Sequence, residues 1–229
     1  MRIFVISDLH GSSEALSAAL PKAKGCDLLL FAGDLTNFGG EAEARALLGL
    51  FGPLKDKLIA VPGNCDKKGA REVLEAEGLS AEAKAVAKGG AMVIGSGGGP
   101  RWTGLTPYEK PDEDLARVLY EGADSLGSSL SGGSSGLPLV VLSHAPPKGS
   151  GADWRKGSSI GSGSLAAALE RLTPVLWVCG HIHESPCADY AGRTLVLNPG
   201  PLREGRYAFA ELERDPSGLW IAKAELQHL

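Results

Sequence analysis

The segment Arg2-Ile3-Phe4-Val5-Ile6-Ser7-Asp8-Leu9-His10 decides the fold, because a short apolar run passes directly into two residues that can bind a metal. Short apolar runs bounded by glycine and polar residues are typical of buried strands. Four more such runs follow, at residues 27–32, 57–62, 139–143 and 175–179. In open α/β sheets, ligands collect outside the carboxyl ends of strands. We therefore expect one site to form from the residues that follow the five runs: Asp8, His10, Asp34, Asn64, Cys65, Asp66, His144, His181 and His183.

The spacing of these residues indicates a metal site. Asp8 with His10, and His181 with His183, are pairs two residues apart, and on extended backbone such pairs project from the same face and can hold one ion each. Asp34, Asn64 and His144 bring the set to seven side chains of carboxylate, amide and imidazole type. This is more than one tetrahedral ion needs, and it suits two ions that share a bridging carboxylate.

Each of these residues also has a structural explanation. Turns and helix N-caps favour Asp and Asn, which accounts for Asp8, Asp34 and Asn64 taken singly. A lone histidine after a strand, such as His144, is often an imidazole with satisfied hydrogen bonds. The structural explanation does not account for the joint pattern, in which four of the five histidines follow apolar runs and only His228 lies in the tail.

The order of these motifs resembles the calcineurin-like metallophosphoesterases over most of the chain. The motifs are Asp8-x-His10, Gly33-Asp34, Gly63-Asn64-x-Asp66, His144 and Gly180-His181-x-His183. The segments at residues 143–147 and 198–200 are similar to those of small prokaryotic members. The resemblance implies a four-layer α/β/β/α sandwich, with two central sheets flanked by helices. Residues 1–229 would form a single domain of this type, because α/β domains commonly reach a length of 229 residues.

The resemblance also implies roles for the residues. It assigns Asp8, His10 and His183 to one metal and Asn64, His144 and His181 to a second, with Asp34 bridging both. The catalytic residues would be Asn64, Cys65, Asp66 and His144. The cofactors would be two divalent ions, with Mn²⁺ expected and Ni²⁺, Co²⁺, Fe or Zn²⁺ as alternatives. A hydroxide bridging the ions would attack the phosphorus. This hydroxide and two Asp carboxylates bring about three negative charges against the four positive charges of the ions, so the site would keep a net positive charge and attract a phosphate anion.

Cys65 departs from the family motif, which has His at this position and assigns it to leaving-group protonation or phosphate contact. A thiol with an ordinary pKa of about 8.5 is a poorer acid at neutral pH than an imidazolium ion. The resemblance then favours a phosphodiesterase. Cys65 as a small tolerated side chain is an alternative, as are a phosphomonoesterase, a nucleotide pyrophosphatase, a nuclease and a non-catalytic metal-binding or scaffolding member. The complete set of seven ligands argues against the non-catalytic member.

Composition limits the partners and the location. The net charge of −4 provides no basic face for a duplex, so we expect a small phosphorylated substrate and no dedicated nucleic-acid surface. The first strand has no signal-peptide pattern and no run reaches membrane length. The cysteines are unevenly spaced, which is typical of reduced thiols and predicts a cytoplasmic location. They are Cys26, Cys65, Cys179 and Cys187. The oligomeric state stays open.

Other elements follow from amphipathic and apolar patterns. Helices are predicted at residues 12–23, 41–50, 111–120 and 164–172, and closing strands at 194–197, 206–213 and 219–226. The segments 122–136 and 146–163 are rich in Gly and Ser and are predicted to be loops. Loops often carry specificity, so the second of these and residues 95–108 are candidates for a substrate rim. Its side chains would be Arg101, Trp102, Lys148, Trp154, Arg155 and Lys156.

Overall fold

Two β-sheets form the centre of the computed structural model, in which residues 1–102, 104–125 and 136–229 are described. The strands are β1 (Arg2–Ile6), β2 (Leu28–Ala32), β3 (Leu58–Val61), β4 (Ala85–Lys88), β5 (Ala91–Ser96), β6 (Gly99–Pro100), β7 (Glu109–Lys110), β8 (Leu139–Ser143), β9 (Trp154–Arg155), β10 (Ser158–Ser159), β11 (Leu176–Val178), β12 (Cys187–Ala191), β13 (Thr194–Asn198), β14 (Arg206–Arg214) and β15 (Trp220–His228). The α-helices are α1 (Ser13–Ala19), α2 (Glu41–Gly49), α3 (Lys68–Ala76), α4 (Asp112–Asp124) and α5 (Gly163–Leu172).

The strand order brings the predicted strands side by side. The first sheet has the order β15-β14-β1-β2-β3, in which β1, β2 and β3 are parallel and β14 runs antiparallel to β1. The second has the order β12-β13-β11-β8-β5-β4, with four parallel strands between two antiparallel edges. The pairing of β14 with β1 places residues from both ends of the chain in one sheet.

The core follows from the two-residue period of buried strands. On β1, Phe4 and Ile6 pack against α1, α2 and α3, whereas Ile3 and Val5 pack between the two sheets. Helices α4 and α5 cover the outer face of the second sheet, where Leu119 of α4 and Leu169 of α5 belong to one core cluster with the buried Trp177 of β11. Both faces of each central strand are therefore buried, which explains why these strands are continuously apolar. The architecture is mixed α/β, with sheets flanked by helices.

Several predicted elements need correction. The helix predicted at 12–23 is α1 followed by a 3-10 helix, Leu20–Ala23, because Pro21 lacks the N–H that an α-helix would use. Helix α4 continues to Asp124, so the loop predicted from Gly122 begins later, and its residues 126–135 lie outside the described ones. The segment 146–163 contains a hairpin of β9 and β10. Sequence patterns also missed α3, β4 and β5.

None of the helices in the described ranges combines the length and the apolar character that a membrane span requires.

Candidate metal centre

The carboxyl ends of five strands meet at one edge, as the sequence predicts. Within the first sheet, Asp8 N–H donates to the Gly33 carbonyl at 2.9 Å and His10 N–H donates to the Asp34 carbonyl at 2.9 Å. Within the second, Gly180 N–H donates to the His144 carbonyl at 3.0 Å. These backbone hydrogen bonds hold the loops that carry the predicted ligands independently of their side chains.

Asp34 lies at the centre of the cluster. Its Oδ2 is 3.6 Å from Nε2 of His10 on one side and 3.6 Å from Nε2 of His144 on the other. Its Oδ1 accepts a hydrogen bond from the Cys65 N–H at 2.8 Å, which fixes the carboxylate plane. Among the described residues, three groups place their ligand atoms within 4.8 Å of one another: Asp8, His10 and His183; His10, Asp34 and Cys65; and Asp8, Asp34 and His144.

One end of the cluster is built on Asp8. Its Oδ1 lies 3.2 Å from Nε2 of His183, and that nitrogen lies 3.3 Å from Nε2 of His10. Its Oδ2 accepts hydrogen bonds from the Ser7 hydroxyl at 2.6 Å and from the His181 N–H at 3.1 Å. The carboxylate is therefore held in one orientation by bonds that leave the His10 and His183 nitrogens facing each other.

The other end is built on His144, whose side chain is fully buried. Its Nδ1 lies 2.7 Å from the Ala32 carbonyl and therefore carries the proton, so in the neutral ring Nε2 presents a lone pair. Nε2 lies 2.8 Å from Asn64 Oδ1, so these two possible metal ligands are neighbours. The Asn64 amide nitrogen donates a hydrogen bond to Cys65 Sγ at 3.5 Å. The His181 ring stands edge-on, with its centroid 5.0 Å from that of His144.

The backbone at the ligands corrects one prediction. Asp8, His10, Asp34 and His181 all have left-handed φ angles, of 51°, 47°, 57° and 68°. The two-residue pairs therefore do not project from extended strands, and the His181 ring lies beside that of His144 whereas the His183 ring lies beside that of His10. Non-glycine residues adopt this conformation at a cost of about 1–3 kcal/mol each, and such residues concentrate at functional sites.

Two glycines allow the loops to approach each other closely. A Cβ on Gly63 would lie 2.0 Å from Asp34 Oδ1, and a Cβ on Gly180 would lie 1.8 Å from Ser7 Oγ and 2.5 Å from Asp8 Oδ2. Any side chain at either position would displace a carboxylate of the cluster. The close packing of these loops thus explains why Gly63 and Gly180 are glycines.

The two buried carboxylates differ in their proton affinity. Burial raises the pKa of Asp8, but the hydrogen bond with His183 and the charge of His144 outweigh it and hold the pKa well below its ordinary range. Burial also raises the pKa of Asp34, and the neighbouring negative charges of Asp8 and Asp66 add to this, so that it reaches about 6. Asp34 is therefore the carboxylate that gains most from cations beside it.

The pKa values of three imidazoles shift in different directions. Burial lowers the pKa of His10 to about 4 and that of His181 to about 3. Burial would also lower the pKa of His144, but the carboxylates of Asp34 and Asp8 outweigh it and raise this pKa. Nδ1 of His10 is buried and has no hydrogen-bond partner within the described part of the chain. Neutral imidazoles, buried carboxylates and an amide oxygen are a donor set that fits divalent transition-metal ions.

Cys65 and Asp66 lie at different depths. Cys65 Sγ faces the ligand atoms of His10 and Asp34, and burial with the charge of Asp34 raises its pKa above the ordinary range. Asp66 accepts four hydrogen bonds, from the backbone of Leu35, Thr36 and Gly63 at 2.8–3.2 Å and from the Thr36 hydroxyl at 2.8 Å. Asp66 thus joins two of the loops that carry the predicted ligands.

Sequence patterns missed Arg203 and Ser7. Arg203 Nη2 lies 3.2 Å from Nδ1 of His183, and its backbone N–H donates to the Asp8 carbonyl. No signal marks this arginine, because it follows the Asn198-Pro199-Gly200 segment in a 3-10 helix, Leu202–Glu204, that only the tertiary structure brings to the cluster. The sequence pattern places Ser7 at the end of the first apolar run and does not indicate that its hydroxyl donates to Asp8.

A cavity of about 340 Å³ opens beside the cluster and is bounded there by Asn64, His181 and His183. Of the predicted rim, Trp102 and Arg155 line this cavity, and Arg155 Nε donates to Glu184 at 3.1 Å. The other predicted rim residues, which are Arg101, Lys148, Trp154 and Lys156, do not line it.

Comparisons with known proteins show the family and the fold of the chain. A family model described as calcineurin-like phosphoesterase matches residues 1–185. The chain is 31% identical over 207 residues to the uncharacterized protein MJ1162 of Methanocaldococcus jannaschii, with 88% of each chain covered.

Two solved structures share the fold. The protein TT1561 of Thermus thermophilus has a TM-score of 0.65 at 18% identity, with 99% of this chain and 98% of that chain covered. The phosphopantetheinyl hydrolase PptH of Mycobacterium tuberculosis has a TM-score of 0.55 at 18% identity, with 88% and 90% covered. The chain therefore belongs to the calcineurin-like phosphoesterase family.

Proposed function

We propose that this protein is a phosphodiesterase that uses two divalent metal ions. Asp8, His10 and His183 would hold one ion and Asn64, His144 and His181 the other, with Asp34 between them. The observation that carries the proposal is the position of Asp34, whose Oδ2 is 3.6 Å from an imidazole nitrogen at each end of the cluster.

The ions would supply a nucleophilic water of lowered pKa and stabilise the attacking and leaving oxygens of an in-line displacement. The chain's own residues hold the site ready for this. Ser7 and the His181 backbone orient Asp8, Cys65 N–H orients Asp34, and the Ala32 carbonyl fixes the tautomer of His144. Such preorganisation avoids rearrangement during the reaction.

The side chain at position 65 supports a preference for diesters. Cys65 faces the cluster between His10 and Asp34, where an imidazolium ion would add a positive charge. A thiol adds none. A dianionic monoester loses more from the missing charge than a monoanionic diester does. The expected substrate is a small phosphorylated molecule, since the net charge of −4 gives no general attraction for nucleic acid.

We also propose a cytoplasmic location and Mn²⁺ as the native metal. The four cysteines are free, and three of them are buried, which suits a reducing compartment. The mixed oxygen and nitrogen ligands suit Mn²⁺, with Ni²⁺, Co²⁺, Fe or Zn²⁺ as alternatives.

Metal removal tests the proposed function. Protein treated with a chelator should not hydrolyse bis(p-nitrophenyl) phosphate, and activity should return with Mn²⁺, Ni²⁺ or Co²⁺ at two ions per chain. A parallel assay with p-nitrophenyl phosphate measures the monoesterase activity under the same conditions. If no metal restores hydrolysis of either compound, the protein is a binding or scaffolding member of the family. If the monoester is the better substrate, the diesterase proposal is wrong.

A further inference from the structure

The cavity beside the metal centre shares three lining residues with a second space. The first, of about 340 Å³, is bounded by Asn64 and His181 at the cluster and by Pro100, Trp102 and Ile160 on its far side. The second, of about 490 Å³, shares those three far residues and extends to Lys148 and Gly163. Trp102 and Ile160 thus line both spaces, one at the cluster and one beyond it, and we call the part of the surface that these two residues form the neck.

Trp102 forms one wall of the neck, and its loop is held by a carboxylate. Glu109 accepts hydrogen bonds from the backbone N–H groups of Trp102 and Gly104 at 2.9 Å each, and from the Thr106 N–H at 3.1 Å and hydroxyl at 2.9 Å. The Trp102 side chain is nevertheless 68% exposed. An indole presented to solvent on a fixed loop, beside a cavity, has a free aromatic face for a ligand.

Ile160 forms the opposite wall, and a second carboxylate holds its loop. The buried Asp153 accepts hydrogen bonds from the N–H groups of Gly149 and Gly161 at 3.0 Å each and from the Ser159 hydroxyl, while the Ile160 N–H donates to the Asp153 carbonyl at 3.0 Å. The Asp153 side chain is fully buried. Both walls are therefore built on loops that are tied down from within.

We propose that Trp102 and Ile160 form a subsite for a planar ring, so that the substrate is a phosphodiester carrying an aromatic or heteroaromatic group next to its phosphate. This inference rests on the proposed function for the position of the phosphate. The phosphate lies beside Asn64, His181 and His183, the ring stacks on the indole against Ile160, and the remainder of that substituent extends toward Lys148. A small phosphate monoester would leave the neck and the second space unused.

Two phosphinates test the subsite without any turnover. Dibenzylphosphinate and diethylphosphinate are both monoanions, both place CH₂ where a diester has its bridging oxygen, and neither has an ester bond to cleave. Titration calorimetry with the Mn²⁺-loaded protein should show dibenzylphosphinate binding about tenfold more tightly, the size that stacking on an aromatic side chain contributes. Trp102→Ala should remove most of this difference, and Trp102→Phe should keep most of it.

Trp154 offers a matched control, because it is also an exposed tryptophan, at 51%, but does not line either cavity. Trp154→Ala should leave the preference unchanged. Equal binding of the two phosphinates by the wild type, or an equal loss in both alanine variants, would overturn the ring subsite, even if diesters are hydrolysed. A preference that depends on Trp102 in a protein that hydrolyses no ester would keep the subsite and overturn the hydrolase.

Discussion

The metal centre and the substrate neck are built in opposite ways. The centre consists of buried or half-buried side chains that come shortly after the ends of strands, with left-handed backbone at Asp8, His10, Asp34 and His181. The neck consists of exposed or half-buried side chains on loops, each wrapped around one carboxylate, Glu109 or Asp153. Sheet hydrogen bonds and core packing thus fix the ligands, whereas local polar networks fix the neck.

This difference has a functional consequence. Changes at the centre should affect every substrate, because any ester must meet the same cluster of ligands. Changes at the neck should affect affinity for one class of substituent and leave the chemical step alone. The variants below separate these two effects, beginning with the largest.

Replacement of Asp34 by Asn should lower turnover by about a hundredfold or more, the effect of removing a strong electrostatic contributor. The amide oxygen can still accept the bond from Cys65 N–H, so the fold is preserved, but the charge that faces His10 and His144 is lost. Steady-state kinetics and metal analysis of the same sample measure the effect, and both ions should be bound more weakly.

The control for this variant is His228→Ala, since His228 lies on the edge strand β15 away from the cluster. Its activity should match that of the wild type. Near-normal turnover with two bound ions in Asp34→Asn would refute the bridging assignment.

Replacement of Cys65 by His should raise monoesterase activity relative to diesterase activity by about tenfold, because general acid catalysis contributes roughly 10² to 10⁴ in rate and only part of this is expected from an unoptimised group. Parallel assays with p-nitrophenyl phosphate and bis(p-nitrophenyl) phosphate give the ratio. Cys65→Ser should leave it nearly unchanged. An unchanged ratio in Cys65→His, together with a wild-type preference for monoesters, would make the position a bystander.

Replacement of Glu109 by Gln should have the smallest effect and should be confined to the neck. The amide would point N–H groups at backbone donors, so the Trp102 loop would loosen. Ordering a side chain costs about 0.5–1.5 kcal/mol on binding, which predicts a rise of about threefold in KM for an aryl diester with kcat unchanged. The exposed Glu113, at the start of α4, provides the control Glu113→Gln. A fall in kcat for Glu109→Gln would show that the loop takes part in the chemical step.

The pKa of Glu109 provides a second measure of the same loop. Although partial burial raises this pKa, the bonds from Gly104, Trp102 and Thr106 lower it to about 2. A carboxylate with a lowered pKa stabilises its loop above the ordinary Glu range, and this contribution is lost as the pH falls toward 2.

Much of the site could be predicted because its ligands follow buried strands. The apolar runs at residues 2–7 and 139–143 mark strands, and a ligand after such a strand must lie at the sheet edge whatever the loops do. The helix α3 escaped prediction although it is as long as α2, and the strands β4 and β5 escaped it because no metal-binding residue directly follows them, which is the feature that marked the five predicted runs. The left-handed backbone at His181 also escaped prediction, because residue spacing along the chain carries no signal for it.

The sequence alone determined the five apolar strands that precede the cluster, the candidate metal ligands that follow them, and the thiol at position 65, since each depends only on local pattern and side-chain chemistry. The tertiary structure decided that Asp66 joins two ligand loops and that Arg203 reaches His183. It also decided that Trp102 and Ile160 line the cavity beside the cluster, whereas Trp154 on the same predicted rim does not. These features depend on contacts between residues far apart in the chain, and such contacts form only when both sheets and their loops have packed.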